Sequence, residues 1–197
     1  MVTRPLKYKG IVELIRENRS IIQPILANDE AAPHISLAKE IKNGRDLTIP
    51  EFVKWVAWKS SRRLDLIKDN KKEVINRAIR NALEATELED KVKILTEGRY
   101  KLKGVGIPVA SAILMFFDPV NFGVIDIRAH RVLCKYGEVT PGNCGRSFSP
   151  PEYAYYIKLI RSYRSELAKQ GIYLKAREID LVLWAYDGEV RKKDGVY

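Results

Sequence analysis

Asp126 stands where an aspartate can do chemistry as well as structural work. It directly precedes a helix-forming segment that carries Ile127, Val132 and Leu133. An aspartate in this position can cap the helix by accepting hydrogen bonds from first-turn amides. The helix dipole also helps to keep such a carboxylate ionised. It is therefore either a simple cap or a fixed anion that stabilises a developing cation and orients or deprotonates a water molecule.

A glycine turn upstream of Asp126 could bind an anion. Gly104-Val105-Gly106 leads into the apolar run 107–117, in which Pro108 suits the first turn of a helix. Free amides at a helix start and the dipole there favour a phosphate group. The alternative is a chance Gly-x-Gly, since neither the third glycine of a dinucleotide site nor the lysine and threonine of a P-loop follow.

A mixed aromatic and basic segment, Trp58 to Arg63, is a second candidate for contact with a ligand. Trp58 could stack on a base, while Lys59 and Arg62 hold phosphates. In the alternative interpretation the tryptophan fills the core and the cations lie in water. His130, one helical turn after Asp126, either faces the same site or is a satisfied or surface histidine.

These motifs occur in a characteristic order. The segment Leu102-Lys103-Gly104-Val105-Gly106 is followed by a helix, by a loop with Asp118-Pro119 and Gly123, and by Val124-Ile125-Asp126. This order resembles the helix-hairpin-helix DNA glycosylases, which carry a Leu-Pro-Gly-Val-Gly hairpin, a loop rich in glycine and proline, and an essential aspartate.

The resemblance implies a fold and an activity. Double-stranded DNA would bind between two lobes, and a damaged or mismatched base would be flipped toward Asp126. The hairpin would grip the DNA backbone through Lys103, Gly104, Val105, Gly106 and Ile107. The family hairpin often holds a monovalent cation, for which the carbonyls of Lys103, Val105 or Ile107 would serve here.

Two departures from the family pattern bear on the reaction. Lys103 replaces the proline of the hairpin, and Pro108 stands where bifunctional members carry the lysine that forms a Schiff base. Since Pro108 has no amine, the resemblance favours a monofunctional enzyme in which water attacks the sugar. Attack by Lys103 or Lys59 from another direction stays open.

The cysteines and histidines predict no metal site or other cofactor. Cys134 and Cys144 are too few for the four-cysteine iron–sulfur cluster of some glycosylases, and they do not imply a disulfide. The two histidines, His34 and His130, lack an acidic ligand motif.

Composition bounds the class of protein. The chain has 197 residues, 46% of them hydrophobic, which is enough for a real core. Its 35 Lys+Arg and 25 Asp+Glu give a net charge of +10, which attracts polyanions such as DNA or is incidental. With no signal peptide and no long uncharged apolar run, we expect a monomeric, cytoplasmic protein, associated with the nucleoid if it is prokaryotic.

The elements that must position these residues all follow a helical pattern, and no strand-like alternation persists. We therefore predict an all-α, two-lobed fold of the helix-hairpin-helix glycosylase type. Residues 44–136 would form the central lobe, while residues 1–43 would pack with the linker and helices of 137–197. Predicted helices include Lys71–Thr86, Glu89–Thr96, Glu152–Lys169 and Arg177–Tyr186, with Tyr136–Pro151 as the linker.

Two other functions remain open at this point. One is a non-catalytic helix-hairpin-helix protein that only binds DNA, and the other is a structural protein with incidental charge. A pocket next to Asp126 would favour chemistry, whereas an aspartate buried purely as a cap would favour binding alone.

Overall fold

The computed structural model describes residues 8–140 and 147–193, and these residues form helices and turns with no β-strand among them. The predicted all-α class is thus confirmed for the described part of the chain. The helices are α1 (Tyr8–Asn18), α2 (Gln23–Ala27), α3 (Ala32–Lys42), α4 (Ile49–Lys59), α5 (Leu64–Ile67), α6 (Lys72–Glu84), α7 (Leu88–Thr96), α8 (Ile107–Phe117), α9 (Ile127–Lys135), α10 (Pro150–Lys169) and α11 (Ala176–Lys193).

Local capping chemistry sets several helix starts. Thr48 and Glu51 form a capping box at the start of α4, with Pro50 in its first turn. Pro24 also lies in a first turn, that of α2, after the 3₁₀ segment Arg19–Ile22. Proline suits this position because its missing N–H has no intrahelical partner there.

The middle helices bury the apolar stripes that their spacing predicts. Ile75, Ala78, Ile79 and Ala82 of α6 are buried. The polar Asn76 is buried with them, because its side chain bonds both the amide and the carbonyl of Leu47, at 2.8 and 2.9 Å. Asn76 thereby fixes the backbone that leads into α4.

Helix α8 is the buried centre of the molecule. Every residue from Ile107 to Phe117 is buried except Pro108. Helices α3, α4, α7 and α10 all pack against it. A helix that is apolar on all sides is expected in a core, and Asp118 ends it as predicted.

The C-terminal helices differ from the prediction at their ends. Helix α10 begins at Pro150, two residues before the predicted Glu152, because Ser149 and Glu152 form a capping box there. Helix α11 runs through Lys192 and Lys193, seven residues beyond the predicted end at Tyr186. Cys144 and Arg146 of the predicted linker lie outside the described residues.

The N-terminal and C-terminal helices pack together, through contacts of α1 with α10 and α11. Helix α9 packs on α11, and α10 also contacts α7 and α8. The division into two lobes at residues 44 and 136 stays a prediction. Among the described residues, no helix combines the length and the apolar character needed to cross a membrane.

Candidate functional site

Asp126 opens onto a cavity of about 480 Å³. Its walls come from four parts of the chain that are distant in sequence: the α2–α3 segment, the end of α4, the loop before α9, and one face of α11. The lining residues used below are Asp29, Trp58, Lys59, Asp126, Asp180 and Trp184. The predicted cap therefore lies beside a pocket large enough for a planar ring.

Asp126 is held at two points. One oxygen, Oδ1, accepts a hydrogen bond from the amide of Arg128 at 2.9 Å, which confirms the helix cap. The other oxygen, Oδ2, forms an ion pair with the Nζ of Lys59 at the end of α4. Burial alone would raise the pKa of Asp126, but the Lys59 charge and these hydrogen bonds outweigh it and lower the pKa below its ordinary value. The carboxylate is therefore a fixed anion at neutral pH.

The start of α8 positions the loop that carries Asp126. The hydroxyl of Ser111 accepts a hydrogen bond from the amide of Ile125 at 3.2 Å and donates one to the carbonyl of Pro108 at 2.8 Å. Ser111 is fully buried, so these bonds tie the residue before Asp126 to the first turn of α8. A displacement of α8 would therefore move Asp126 as well.

Asp180 supplies a second carboxyl group in the pocket. Its Oδ2 accepts a hydrogen bond from the amide of Val124 at 3.0 Å, and its Oδ1 accepts one from the hydroxyl of Tyr156 at 2.6 Å. Burial raises the pKa of Asp180 to about 6, although these hydrogen bonds and the Lys59 charge act in the opposite direction. The two pocket carboxyls therefore differ in protonation near pH 5.

A third carboxylate is neutralised. Asp29 forms an ion pair with Arg177, whose side chain is only 6% exposed. The Asp29 Oδ1 also accepts a hydrogen bond from the amide of Ala31 at 3.1 Å. This pair joins the α2–α3 turn to the start of α11 and closes one end of the pocket.

Two half-buried tryptophans add flat apolar surface. Trp58 packs edge-on against Phe116, with ring centroids 5.1 Å apart. The ring of His34 also packs edge-on against Trp58. Trp184 carries the guanidinium of Arg128 over its ring at 4.0 Å. Both indoles line the cavity. A planar heterocycle could bind against such surfaces by stacking.

The glycine turn has one glycine that the fold needs and one that it does not. Gly104 has a φ of +76°, and a Cβ there would lie 2.8 Å from Cδ1 of Ile67. Gly106 has an extended backbone with φ −104°, and a Cβ there would meet only Pro108, at 3.9 Å. It is the N-cap of α8 and provides no side-chain cap. The surface beside Gly106 is therefore open to an approaching molecule.

Asn70 clamps the turn to the segment after α5. Its side chain accepts from the amide of Lys103 at 2.8 Å and donates to the Lys103 carbonyl at 3.0 Å. One of the three carbonyls considered for a monovalent cation is thus already engaged by an amide group. The Lys103 ammonium is well exposed, and its nearest acid is Asp69 at 3.9 Å.

The mixed aromatic and basic segment from Trp58 to Arg63 contributes to two different surfaces. Trp58 and Lys59 lie in the pocket, whereas Arg62 and Arg63 are exposed. The carbonyl of Arg63 lies 3.0 Å from the position of a Cβ on Gly104, so this stretch runs beside the hairpin. Lys59 and Arg63 are four residues apart and hence at most about 14 Å from each other. The pocket and the turn are therefore close neighbours.

His130 is not brought to the pocket. It is buried against Phe148, with ring centroids 5.2 Å apart, and its Nδ1 lies 3.5 Å from Sγ of Cys134. Burial lowers the pKa of His130 despite the nearby charge of Glu152. The interpretation of His130 as a satisfied core histidine fits this position, and the candidate role in DNA contact has no support from it.

Sequence reasoning did not identify Asp29, Arg177 or Asp180 as site residues. Helix α11 did carry a signal, because Arg177, Asp180 and Trp184 follow one another at spacings of three and four residues within an otherwise apolar stretch. Such spacing places three polar or aromatic side chains on one face. Their pairing with the α2–α3 turn and with α10 could not be deduced from spacing.

No family model matches the chain, and neither a curated protein nor a solved structure matches it significantly. The function must therefore be argued from the chemistry of the pocket and the turn.

Proposed function

We propose that this protein is a DNA base-excision glycosylase of helix-hairpin-helix type that hydrolyses the N-glycosidic bond of a flipped damaged or mismatched base. Its partner would be double-stranded DNA, bound by a monomer in the cytoplasm or on the nucleoid. The observation that carries the proposal is Asp126, a fixed carboxylate at the edge of a cavity with two indole walls.

The chemistry of the bond supports this assignment. Removal of a base from deoxyribose leaves a sugar with cationic character in the transition state. A half-buried anion whose position is fixed before the reaction stabilises such a charge without reorganising. Asp126 has this character because the helix cap and Lys59 both hold it. It can also accept the proton of the attacking water.

The turn and the basic segment supply contacts to the DNA backbone in this proposal. The amides around Gly106 would bind one phosphate, and Lys103 and Arg62 would bind others. A monovalent cation would use the carbonyls of Val105 and Ile107 together with the remaining lone pair of the Lys103 carbonyl. Trp58 and Trp184 would flank the flipped base.

The Lys59–Asp126 ion pair favours a second candidate, a protein that binds DNA without excising a base. A carboxylate neutralised by an ammonium is a weaker electrostatic catalyst than a lone one. In this alternative the pair only joins α4 to α9, and the hairpin keeps its role in phosphate binding.

A panel of duplexes, each with one altered base, separates the two candidates. We expect the wild-type protein to release at least one base as free heterocycle, measured by mass spectrometry. Asp126→Asn should bind the same duplex with unchanged affinity and excise it about a hundredfold more slowly or worse. Asp90→Asn on α7 is the matched control, since it makes the same charge change on an exposed helix face.

Two outcomes would contradict the proposal. If the wild-type protein binds the duplexes and releases no base from any of them, the non-catalytic alternative is correct. If the folded Asp126→Asn variant excises at the native rate, the site is not the catalytic one.

A further inference from the structure

The pocket holds two carboxyl groups in opposite electrostatic environments. Asp126 is paired with the Lys59 ammonium. Asp180 is 5% exposed, and in the described part of the chain no lysine or arginine nitrogen lies within 4.0 Å of its oxygens. Two acids with separated protonation behaviour in one cleft are the usual arrangement for paired acid and base chemistry.

The two carboxyls lie on adjoining walls. The loop that leads to Asp126 packs directly on Asp180, because a Cβ on Gly123 would lie 3.0 Å from the Asp180 Cβ. The Val124 amide, two residues before Asp126, donates to Asp180. Each carboxyl oxygen of Asp180 accepts one such bond, from Val124 or Tyr156, and each has a second lone-pair direction. A pocket-bound base can therefore meet Asp180 while Asp126 faces the sugar.

We infer that Asp180 is the general acid that protonates the departing base, while Asp126 stabilises the sugar cation and takes the proton of the attacking water. This inference rests on the proposed glycosylase function and assigns its leaving-group step. It also names a substrate class, namely uncharged bases that present a ring nitrogen or carbonyl oxygen to Asp180.

The atoms of the step balance without a further reactant. The bond between C1′ and the base nitrogen breaks, and its electron pair stays on the base. The proton of Asp180 moves to the base, which leaves as a neutral molecule. The water oxygen bonds to C1′ and its proton passes to Asp126, after which solvent restores both carboxyls.

The groups that face Asp180 fix the sign of the pH dependence. The groups that shift the pKa of Asp180 are Tyr156 from α10, Lys59 from α4 and Asp126 from the start of α9. Tyr153 of α10 also faces Asp180 without shifting its pKa, and Arg177 on its own helix is paired with Asp29. Burial raises the pKa of Asp180 to about 6, whereas the Lys59 charge and hydrogen bonds hold the pKa of Asp126 below its ordinary value. The acid is present below about pH 6, where Asp126 is still ionised, so excision should slow as pH rises through that region.

The test measures single-turnover excision from about pH 5 to about pH 9. Its duplexes carry one uracil, one hypoxanthine or one oxidised guanine, which are uncharged, or one N7-methylguanine, which is already cationic and leaves without a proton. The uncharged base that is excised fastest should lose about tenfold in rate per pH unit above the pKa. Asp180→Asn should abolish this dependence and slow that base at least tenfold more than it slows N7-methylguanine.

A hydroxyl deletion on α10 gives an independent readout that a merely structural role would not move. Tyr156→Phe removes a hydrogen bond that lowers the pKa of Asp180. The pH above which the excision rate falls (the falling limb of the pH–rate profile) should therefore shift upward. Tyr153→Phe is the matched control. It deletes a buried hydroxyl on the same helix that has no hydrogen-bond partner among the described residues, and the limb should stay in place.

Any other result contradicts either the role of Asp180 as general acid or the glycosylase function itself. A falling limb that is unchanged in folded Asp180→Asn, or unmoved by Tyr156→Phe, overturns the role of Asp180 and leaves the glycosylase assignment standing. Excision of N7-methylguanine alone does the same, because no acid is then needed. Release of no base at all refutes the proposed function itself.

Discussion

Lys59 is the residue whose position bears most on how the sugar would be attacked. Pro108 has no amine, and the exposed Lys103 lies on the hairpin beside Asp69. Lys59 is the lysine that lines the pocket, where its ammonium contacts Asp126. An ammonium held against a carboxylate has no lone pair with which to attack a carbon atom. We therefore expect Lys59 to serve as the charge partner of Asp126, which agrees with a hydrolytic reaction.

Borohydride trapping tests this expectation. The wild-type protein should form no covalent adduct with a duplex that contains an abasic site, because no imine forms. The Lys59→Gln variant should also give no adduct. An adduct that forms with the wild-type protein and disappears in Lys59→Gln would show that Lys59 is a nucleophile, and the Lys103→Gln variant would serve as the control.

Asp180 should also make the free energy of unfolding depend on pH. Its folded-state pKa of about 6 lies above the ordinary 3.8, so its contribution to stability is full at low pH and is lost as pH rises through about 6. The difference corresponds to roughly 3 kcal/mol of unfolding free energy. Asp180→Asn removes this titration.

Urea denaturation of both proteins at about pH 4.5 and about pH 8 measures the effect. Over this interval the wild-type protein should lose about 2 kcal/mol more than Asp180→Asn does, because about a third of the full difference is already lost at about pH 4.5. The comparison uses each protein as its own reference, so a constant cost of the asparagine cancels. Equal losses in the two proteins would show that Asp180 is ionised throughout this range.

At the level of elements, the glycine turn separates folding from binding. Gly104→Ala places a Cβ 2.8 Å from Ile67 at a φ of +76°, so it should destabilise the fold by about 1–3 kcal/mol. Gly106→Thr suits the extended backbone and supplies a helix cap, so the fold should keep its stability.

Gly106→Thr should weaken DNA binding although it leaves the fold stable. Threonine at position 106 fills the open surface and engages the first-turn amides of α8, so affinity should fall for all duplexes by about tenfold, irrespective of the altered base. Fluorescence anisotropy with an undamaged duplex measures this, with thermal denaturation as the stability check. Unchanged affinity in a folded Gly106→Thr variant would mean that the turn does not bind phosphate.

The helices themselves were largely predictable because their signals are local. The Thr48–Glu51 capping box and the stripe of α6 are complete within one or two turns of sequence. The start of α10 was missed because Ser149, Pro150 and Pro151 were assigned to a loop, although a serine before two prolines also fits an N-cap. Helix α11 proved longer than its apolar pattern, since charged residues continue it to Lys193.

The site was predictable only where a single segment carries it. Asp126 could be identified as a cap and a possible anion from its own neighbours. Its partner Lys59 is 67 residues away in the chain. The bond between Tyr156 and Asp180 likewise joins two helices. Such pairs depend on how α4, α9, α10 and α11 pack, which helical periodicity does not specify.

On the scale of the whole molecule, the charges are unevenly placed. The net charge is +10, yet among the described residues the pocket walls carry four acids and two bases, namely Asp29, Glu30, Asp126 and Asp180 against Lys59 and Arg177. The exposed cations Arg62, Arg63 and Lys103 lie on the hairpin side. A surface of this kind would attract the DNA backbone to the hairpin, while the acidic pocket repels phosphates and leaves room for an uncharged base.

The salt dependence of DNA binding tests whether this charge has a function. Phosphate contacts release counterions, so the logarithm of the binding constant should fall linearly with the logarithm of salt concentration, with a slope of about −0.9 for each phosphate neutralised. Lys103→Gln and Arg62→Gln should each flatten the slope by about one contact. Lys169→Gln is the matched control, because the segment after it returns to Val120, at the end of α8 opposite the hairpin. A slope near zero in the wild-type protein, or equal flattening in all three variants, would show that the positive charge is incidental and that the hairpin is no DNA anchor.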